Sequence, residues 1–149
     1  REFEKLVVNL MQKLGYGGQI KNSGLVTQAT NDKGIDGIIK EDILGFGRIY
    51  IQAKRYNREN LIGREDIQKF VGALAVENSD KGVFITTSDF NKGAYEYVEN
   101  LSSNNKIVLI NGNKLSEYIY EFNLGMQTEK VIELKRLDSD FWDSLENEK

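Results

Sequence analysis

"RIYIQAKRY", residues 48–56, is the stretch on which the fold turns. Side chains alternate across a β-strand. Ile49, Ile51 and Ala53 therefore share one face, while Tyr50, Gln52, Lys54 and Tyr56 share the other. The first set is a core face. The second puts an amide and an ammonium side by side on a strand apolar enough to be central. Alone, such a pair marks only the wet side of an antiparallel sheet, so its neighbours in the chain decide what it is for.

Upstream, Phe3, Leu6, Val7, Leu10, Met11 and Leu14 recur at helical spacing and form one stripe. Glu2, Lys5, Asn9 and Gln12 lie opposite, and Glu4 falls at the border of the stripe, beside Met11. "GYGG" at 15–18 ends this helix. Because these glycines follow a helix and do not precede one, they form no phosphate loop. Strand-like runs at 18–23, 35–41 and 48–55 are separated by the turn sequences "ATNDKG" and "DILGFG". Connections that short make consecutive strands antiparallel neighbours.

Downstream, Ile67, Phe70, Val71 and Leu74 mark a second helix, and "KGVFITT" (81–87) reads as a buried strand. Ser88 or Asp89 is expected to cap the helix after it, with Ala94, Val98 and Leu101 inward. "KIVLI" (106–110) is a further strand and residues 113–123 a further helix. Strand–helix alternation in this half predicts parallel strands with right-handed crossovers. The expected fold is α/β, a mixed β-sheet flanked by helices in the order αβββαβαβα. "KVIELKRL" (130–137) is expected to add an edge strand. With no proline in the chain, turns fall to Gly, Asn and Asp.

A chain of 149 residues suits one domain with a real core. No run approaches the ~18 apolar residues of a membrane span, no signal peptide is visible, and the absence of cysteine suits a reducing cytosol. The chain also lacks histidine, which excludes Ser-His-Asp triads, His-metal nucleases and most zinc sites. Acid–base or metal work must then use carboxylates, amides, lysines and water. A net charge of −3 argues against indiscriminate binding to polyanions. The charge is unevenly spread. Six basic residues from Arg48 to Lys69 face only Glu59, Glu65 and Asp66, whereas Asp138, Asp140, Asp143, Glu146 and Glu148 make the end acidic. We expect a domain over 1–137 and an acidic tail over 138–149. Because a helical pattern starts at once from Arg1, an upstream domain is expected to be missing.

Asp36, in "KGIDGII", begins the run before the opening strand. Gly34 and Gly37 beside it permit close approach to the backbone. A hairpin brings Asp36 across from Gln52 and Lys54, and Glu4 can lean over the end of the sheet. Each has a plain structural reading as well: Asp36 as a turn residue, Glu4 as the edge of an amphipathic helix. Together they form a set of hard oxygen ligands with a cation beside it. Such a set suits Mg²⁺, which takes one or two carboxylates and keeps several waters, and it points to phosphodiester hydrolysis.

"GIDGII" followed by "YIQAKRY" resembles the core of the PD-(D/E)XK nuclease superfamily, in the form with glutamine at its second acidic position. Together with "FEKLVVNLMQKLGYG", "IGREDIQKFVGALA", "KGVFITTSDF", "LINGNKL" and "LKRLDSDF", nearly the whole chain resembles the catalytic domain of Mrr-type, modification-dependent (type IV) restriction endonucleases. The resemblance implies a restriction-endonuclease-like fold and a site of Asp36, Gln52, Lys54 and Glu4. Asp36, Gln52, Glu4 and the backbone carbonyl of Ala53 would be metal ligands. The run "DKG" departs from the family, with Lys33 where a glycine is common. This makes Asp32 a competitor to Asp36, whose strand position favours it. Gln52 removes one negative charge, which Glu4 would restore.

The implied activity is a Mg²⁺-dependent endonuclease, with Mn²⁺ as substitute, that hydrolyses phosphodiester bonds of double-stranded DNA as the cleavage domain of a restriction enzyme acting on modified, methylated DNA. Arg55, Arg58 and Arg64 are the expected DNA contacts. Cutting both strands implies a homodimer or higher homo-oligomer. The expected location is prokaryotic cytoplasm, with no membrane partner. Two rivals share these residues: a junction resolvase or repair nuclease of the same fold, and a catalytically degenerate DNA-binding or assembly module.

Overall fold

A computed structural model describes residues 2–15, 24–26, 34–42 and 44–147. The elements are α1 (Glu2–Lys13), β1 (Gly24–Val26), β2 (Gly37–Lys40), β3 (Arg48–Lys54), α2 (Arg64–Val76), β4 (Lys81–Thr86), α3 (Lys92–Glu99), β5 (Lys106–Ile110), α4 (Gly112–Glu121) and α5 (Ser139–Glu146). The five strands form one sheet in sequence order. β1–β2 and β2–β3 pair antiparallel, and β3–β4 and β4–β5 pair parallel. The mixed sheet expected from the short early turns and the later helical crossovers is therefore present. Among the described residues no helix is long and apolar enough to cross a membrane.

Alternation along the strands divides the core into two layers. Ile49 and Ile51 of β3 pack with Val7, Leu10 and Met11 of α1 and with Leu115 of α4. Tyr50 faces the other way, into a layer with Ile67, Phe70 and Leu74 of α2 and Ala94 of α3. Phe84 is fully buried there, edge-on to Phe70 at 5.5 Å and to Phe90 at 5.8 Å, a geometry that aromatic pairs favour. β4 lies so close to α2 at Gly82 that an added Cβ would sit 2.7 Å from the Phe70 ring and 2.8 Å from Leu74. Gly82→Ala is therefore expected to destabilise the fold by about 1–3 kcal/mol through overpacking, measurable by urea titration.

Two expectations are overturned, the cap of α3 and the strand at 130–137. The run 18–23 lies outside the described residues, and the strand beside β2 is 24–26. The cap of α3 is Asn91, whose Oδ1 accepts from the Ala94 amide at 2.9 Å. Ser88 and Asp89 are engaged elsewhere: Ser88 donates to the Asn60 carbonyl at 2.8 Å, and Asp89 accepts from the Phe90 amide at 2.7 Å. Residues 130–137 form no strand; they lie off the sheet, with Leu134 93% exposed. The acidic tail carries the helix α5, begun by Asp138, which accepts from the Phe141 amide at 3.3 Å.

Candidate active site

β3 is the frame of the site. Its last turn of register points Gln52 and Lys54 to the α2 side of the sheet, and both line a cavity of about 410 Å³ with Gly34, Asp66, Lys69 and Gly72. The strand is fixed on both flanks here. On one side it pairs with β4 through Gln52↔Phe84 and Lys54↔Thr86. Beyond it, the Thr87 hydroxyl accepts from the Tyr56 amide at 2.9 Å and donates to the Tyr56 carbonyl at 2.6 Å. This clamp holds the exit of β3, and with it the base of the Lys54 side chain.

On the other flank β2 begins, and Asp36 completes the ladder. Gly37 is the register partner of Ile51, yet the Asp36 amide also donates to the Ile51 carbonyl, at 2.8 Å. Two residues thus oppose one, as in a β-bulge, and the chain is turned so that the Asp36 side chain meets β3. Its Oδ2 accepts from the Ala53 amide at 2.8 Å. N–H and C=O of one strand residue point to the same neighbour, so the Ala53 carbonyl opens on this flank too. Two residues earlier, Gly34 has φ +63° and lies under the Gln52 amide; a Cβ there would be 3.4 Å from Gln52 Oε1. Glycine permits both the left-handed backbone and that contact.

The electrostatics tie α1 to the same corner. Burial pushes the Asp36 carboxyl above its ordinary value; the Ala53 hydrogen bond opposes this, the Glu4 charge adds to it, and Lys54 opposes it. Glu4, partly buried on α1, is thus close enough to repel Asp36. For Lys54, burial favours the neutral form, but the Asp66 carboxylate outweighs it and holds the ammonium above the usual lysine value. Its Nζ donates to Asp66 Oδ1 at 2.6 Å and stands 5.7 Å from the centre of the Tyr56 ring.

Asp36, Gln52, Lys54, Ala53 and Glu4 are therefore gathered at one end of the sheet, while Asp32 lies outside the described residues. The arginines are dispersed. Arg55 is exposed just past β3. Arg58 lines a separate cavity of about 380 Å³ with Thr87, Asn111 and Ser116. Arg64 lies over the Tyr97 ring at 5.3 Å. Sequence reading missed Asp66 and Lys69, which line the main cavity. Asp66 was counted only as a charge opposing the basic run. Its place in the first turn of α2, one turn before the inward Phe70, was the available signal.

Among the described residues no group of three or more acidic side chains could hold a metal. The donors on hand are two carboxylates, an amide oxygen and a carbonyl. This set fits Mg²⁺, which needs few protein ligands, and the mutual repulsion of Asp36 and Glu4 is what a cation between them would relieve.

Residues 1–119 match a family model described as restriction endonuclease, of the Mrr catalytic type. Over 95% of its length the chain is 36% identical to the type IV methyl-directed restriction enzyme EcoKMrr of Escherichia coli (strain K12), and it spans 44% of that protein. Two solved structures share the fold. The DNA modification-dependent restriction endonuclease AspBHI aligns with TM-score 0.64 and 18% identity over 84% of this chain and 32% of its own. The MspJI restriction endonuclease, in complex with a 27-mer oligonucleotide, aligns with TM-score 0.55 and 24% identity over 78% of this chain and 27% of its own.

Proposed function

From the chain's membership of the Mrr-type restriction endonuclease catalytic family, we propose that it is the cleavage domain of an enzyme that hydrolyses phosphodiester bonds in modified, methylated double-stranded DNA with Mg²⁺. The single observation that supports this most is the convergence on β3: Asp36 bonded to the Ala53 amide, with Gln52 and Lys54 opening into one cavity beside it. Asp36, Gln52, the Ala53 carbonyl and Glu4 would hold the metal. A Mg²⁺ ion held there would supply polarisation of the phosphate and a more acidic bound water.

The chain's own residues do the rest. Asp36, at the bulge that opens β2, and Gln52, on β3, would set the ligand positions. Lys54, paired with Asp66, supplies a fixed positive charge for the phosphorane-like transition state. Lys69 adds a second cation on the cavity wall. The carboxyl ends of β3, β4 and β5 lie at one end of the sheet, where α/β proteins bind ligands. Arg55, exposed just past β3, and Arg58, beside Thr87 and Asn111, are the candidates for phosphate contacts. Recognition of the modified base is assigned to parts of the enzyme beyond these residues, so the isolated chain should bind DNA weakly and with strong salt dependence.

The test is nicking of methylated and unmethylated plasmid with Mg²⁺ or Mn²⁺, with and without chelator. Metal-dependent nicking lost with chelator is expected; cleavage that survives chelation, or no cleavage with either metal, would refute the proposal. Asp66→Asn probes the lysine anchor. It is expected to lower kcat about 10- to 100-fold, the cost of a misplaced catalytic group, with little change in KM. A raised KM with kcat unchanged would mean that Asp66 serves binding instead.

A further inference from the structure

We propose that the C-terminal arm, residues 130–146, docks on a second copy of this chain, seating Trp142 in an apolar groove between α1 and α4. No residue from 125 to 147 is buried. Yet the arm is not polar: Val131, Ile132, Leu134 and Leu137 are 70–93% exposed, and Phe141 and Trp142 are each 54% exposed. An eight-residue helix such as α5 is too short to persist alone in water. It needs a surface for its apolar side.

The chain carries such a surface. On the α1/α4 face of the sheet a groove of about 240 Å³ is floored by Val83, Val108, Ile110, Leu14 and Tyr118, with room for a large aromatic side chain. Val108 is 53% exposed in mid-strand. Lys81 and Lys106, register partners at the first residues of β4 and β5, stand at its rim; Lys81 also pairs with Glu41. α5 brings the opposite charge, with Asp138, Asp140, Asp143 and Glu146 around its aromatic pair. Apolar centre meets apolar centre and acidic rim meets basic rim, which fixes orientation.

The groove borders β5, which among the described residues has one strand neighbour in the sheet. An outer edge left open accepts an added strand. The alternation in 130–137, which finds no partner in its own chain, suits that edge. Two copies exchanging arms fill both grooves and close as a two-fold pair. The groove lies on the face of the sheet opposite Gln52 and Lys54, so the pairing leaves the site open.

Trp142 is the single tryptophan and reports on its own docking. Emission and sedimentation of the 149-residue chain are followed on dilution. We expect a blue-shifted emission that moves red as dimer gives way to monomer. Val108→Glu should weaken the dimer about tenfold or more, as loss of contact with a buried aromatic anchor does, and should redden Trp142. Trp142→Glu should do the same to sedimentation. Both changes lie at exposed positions, and circular dichroism confirms folding. Mixing the two variants pairs the intact arm of the first with the intact groove of the second, and should shift the remaining tryptophan back to the blue. Emission that does not depend on concentration, a dimer that survives both substitutions, or no shift on mixing would each overturn the proposal; the first would place the arm on its own chain or nowhere.

Discussion

Lys54→Ala is expected to reduce DNA cleavage by about 10³-fold or more while leaving the fold intact. Removing one preorganised group that stabilises transition-state charge typically costs 10²–10³-fold. Lys54 is held more firmly than most, by Asp66 at 2.6 Å, by the β4 ladder and by the Thr87 clamp one residue past Arg55. Lys54 is partly exposed at the cavity, so its loss leaves no buried void. It does leave Asp66 without its cation, a small cost for a partly exposed pair. Single-turnover cleavage of a methylated duplex separates the chemical step from binding. If the variant cuts within threefold of the parent chain, the role given to Lys54 is wrong. Lys54→Arg should rescue little, since a planar guanidinium does not replace a point charge in a fitted position.

Asp36→Asn should lose metal binding by at least ~100-fold, more than the 10–100-fold seen for groups that merely support a ligand, and cleavage should fall with it. The interest is in what it should keep. An asparagine Oδ1 can still accept from the Ala53 amide, the bond that Asp36 makes at 2.8 Å, so the bulge at the start of β2 should stand. Burial and the nearby Glu4 both disfavour the carboxylate. The neutral amide relieves both, and thermal stability should be equal or higher, a trade commonly met where a site is arranged for chemistry at the expense of stability. Calorimetric titration with Mg²⁺ and a thermal melt give the two readings separately. A drop in melting temperature with metal affinity retained would assign Asp36 to structure alone.

Much of this site could be read from alternation. The faces of β3 follow from "RIYIQAKRY" alone, and the short turn to β2 predicts that Asp36 crosses toward Gln52. The Lys54–Asp66 contact could not be read that way. It joins a strand end to the first turn of a helix across a nine-residue connection, and no local period links the two. Similarly, Asn91 and not Ser88 caps α3, because Ser88 is taken by the Asn60 carbonyl, a partner 28 residues away. The strand pattern at 130–137 is a real property of the sequence, but a pattern states only which face wants cover. Whether cover exists depends on what else the chain brings to that spot.

The Asp36 carboxylate also closes the hydrogen-bond ladder of the sheet, and this limits how such a site can drift. Glutamate has the same charge and one more methylene, so it would overshoot the Ala53 amide or crowd the ligand position, and the two acids are not interchangeable there. Position 52 has no such double duty: its amide rests on Gly34 and faces open space. Under the metal-site assignment proposed above, new metal preferences or altered rates are most accessible through residue 52, with residue 36 as the fixed point around which they vary.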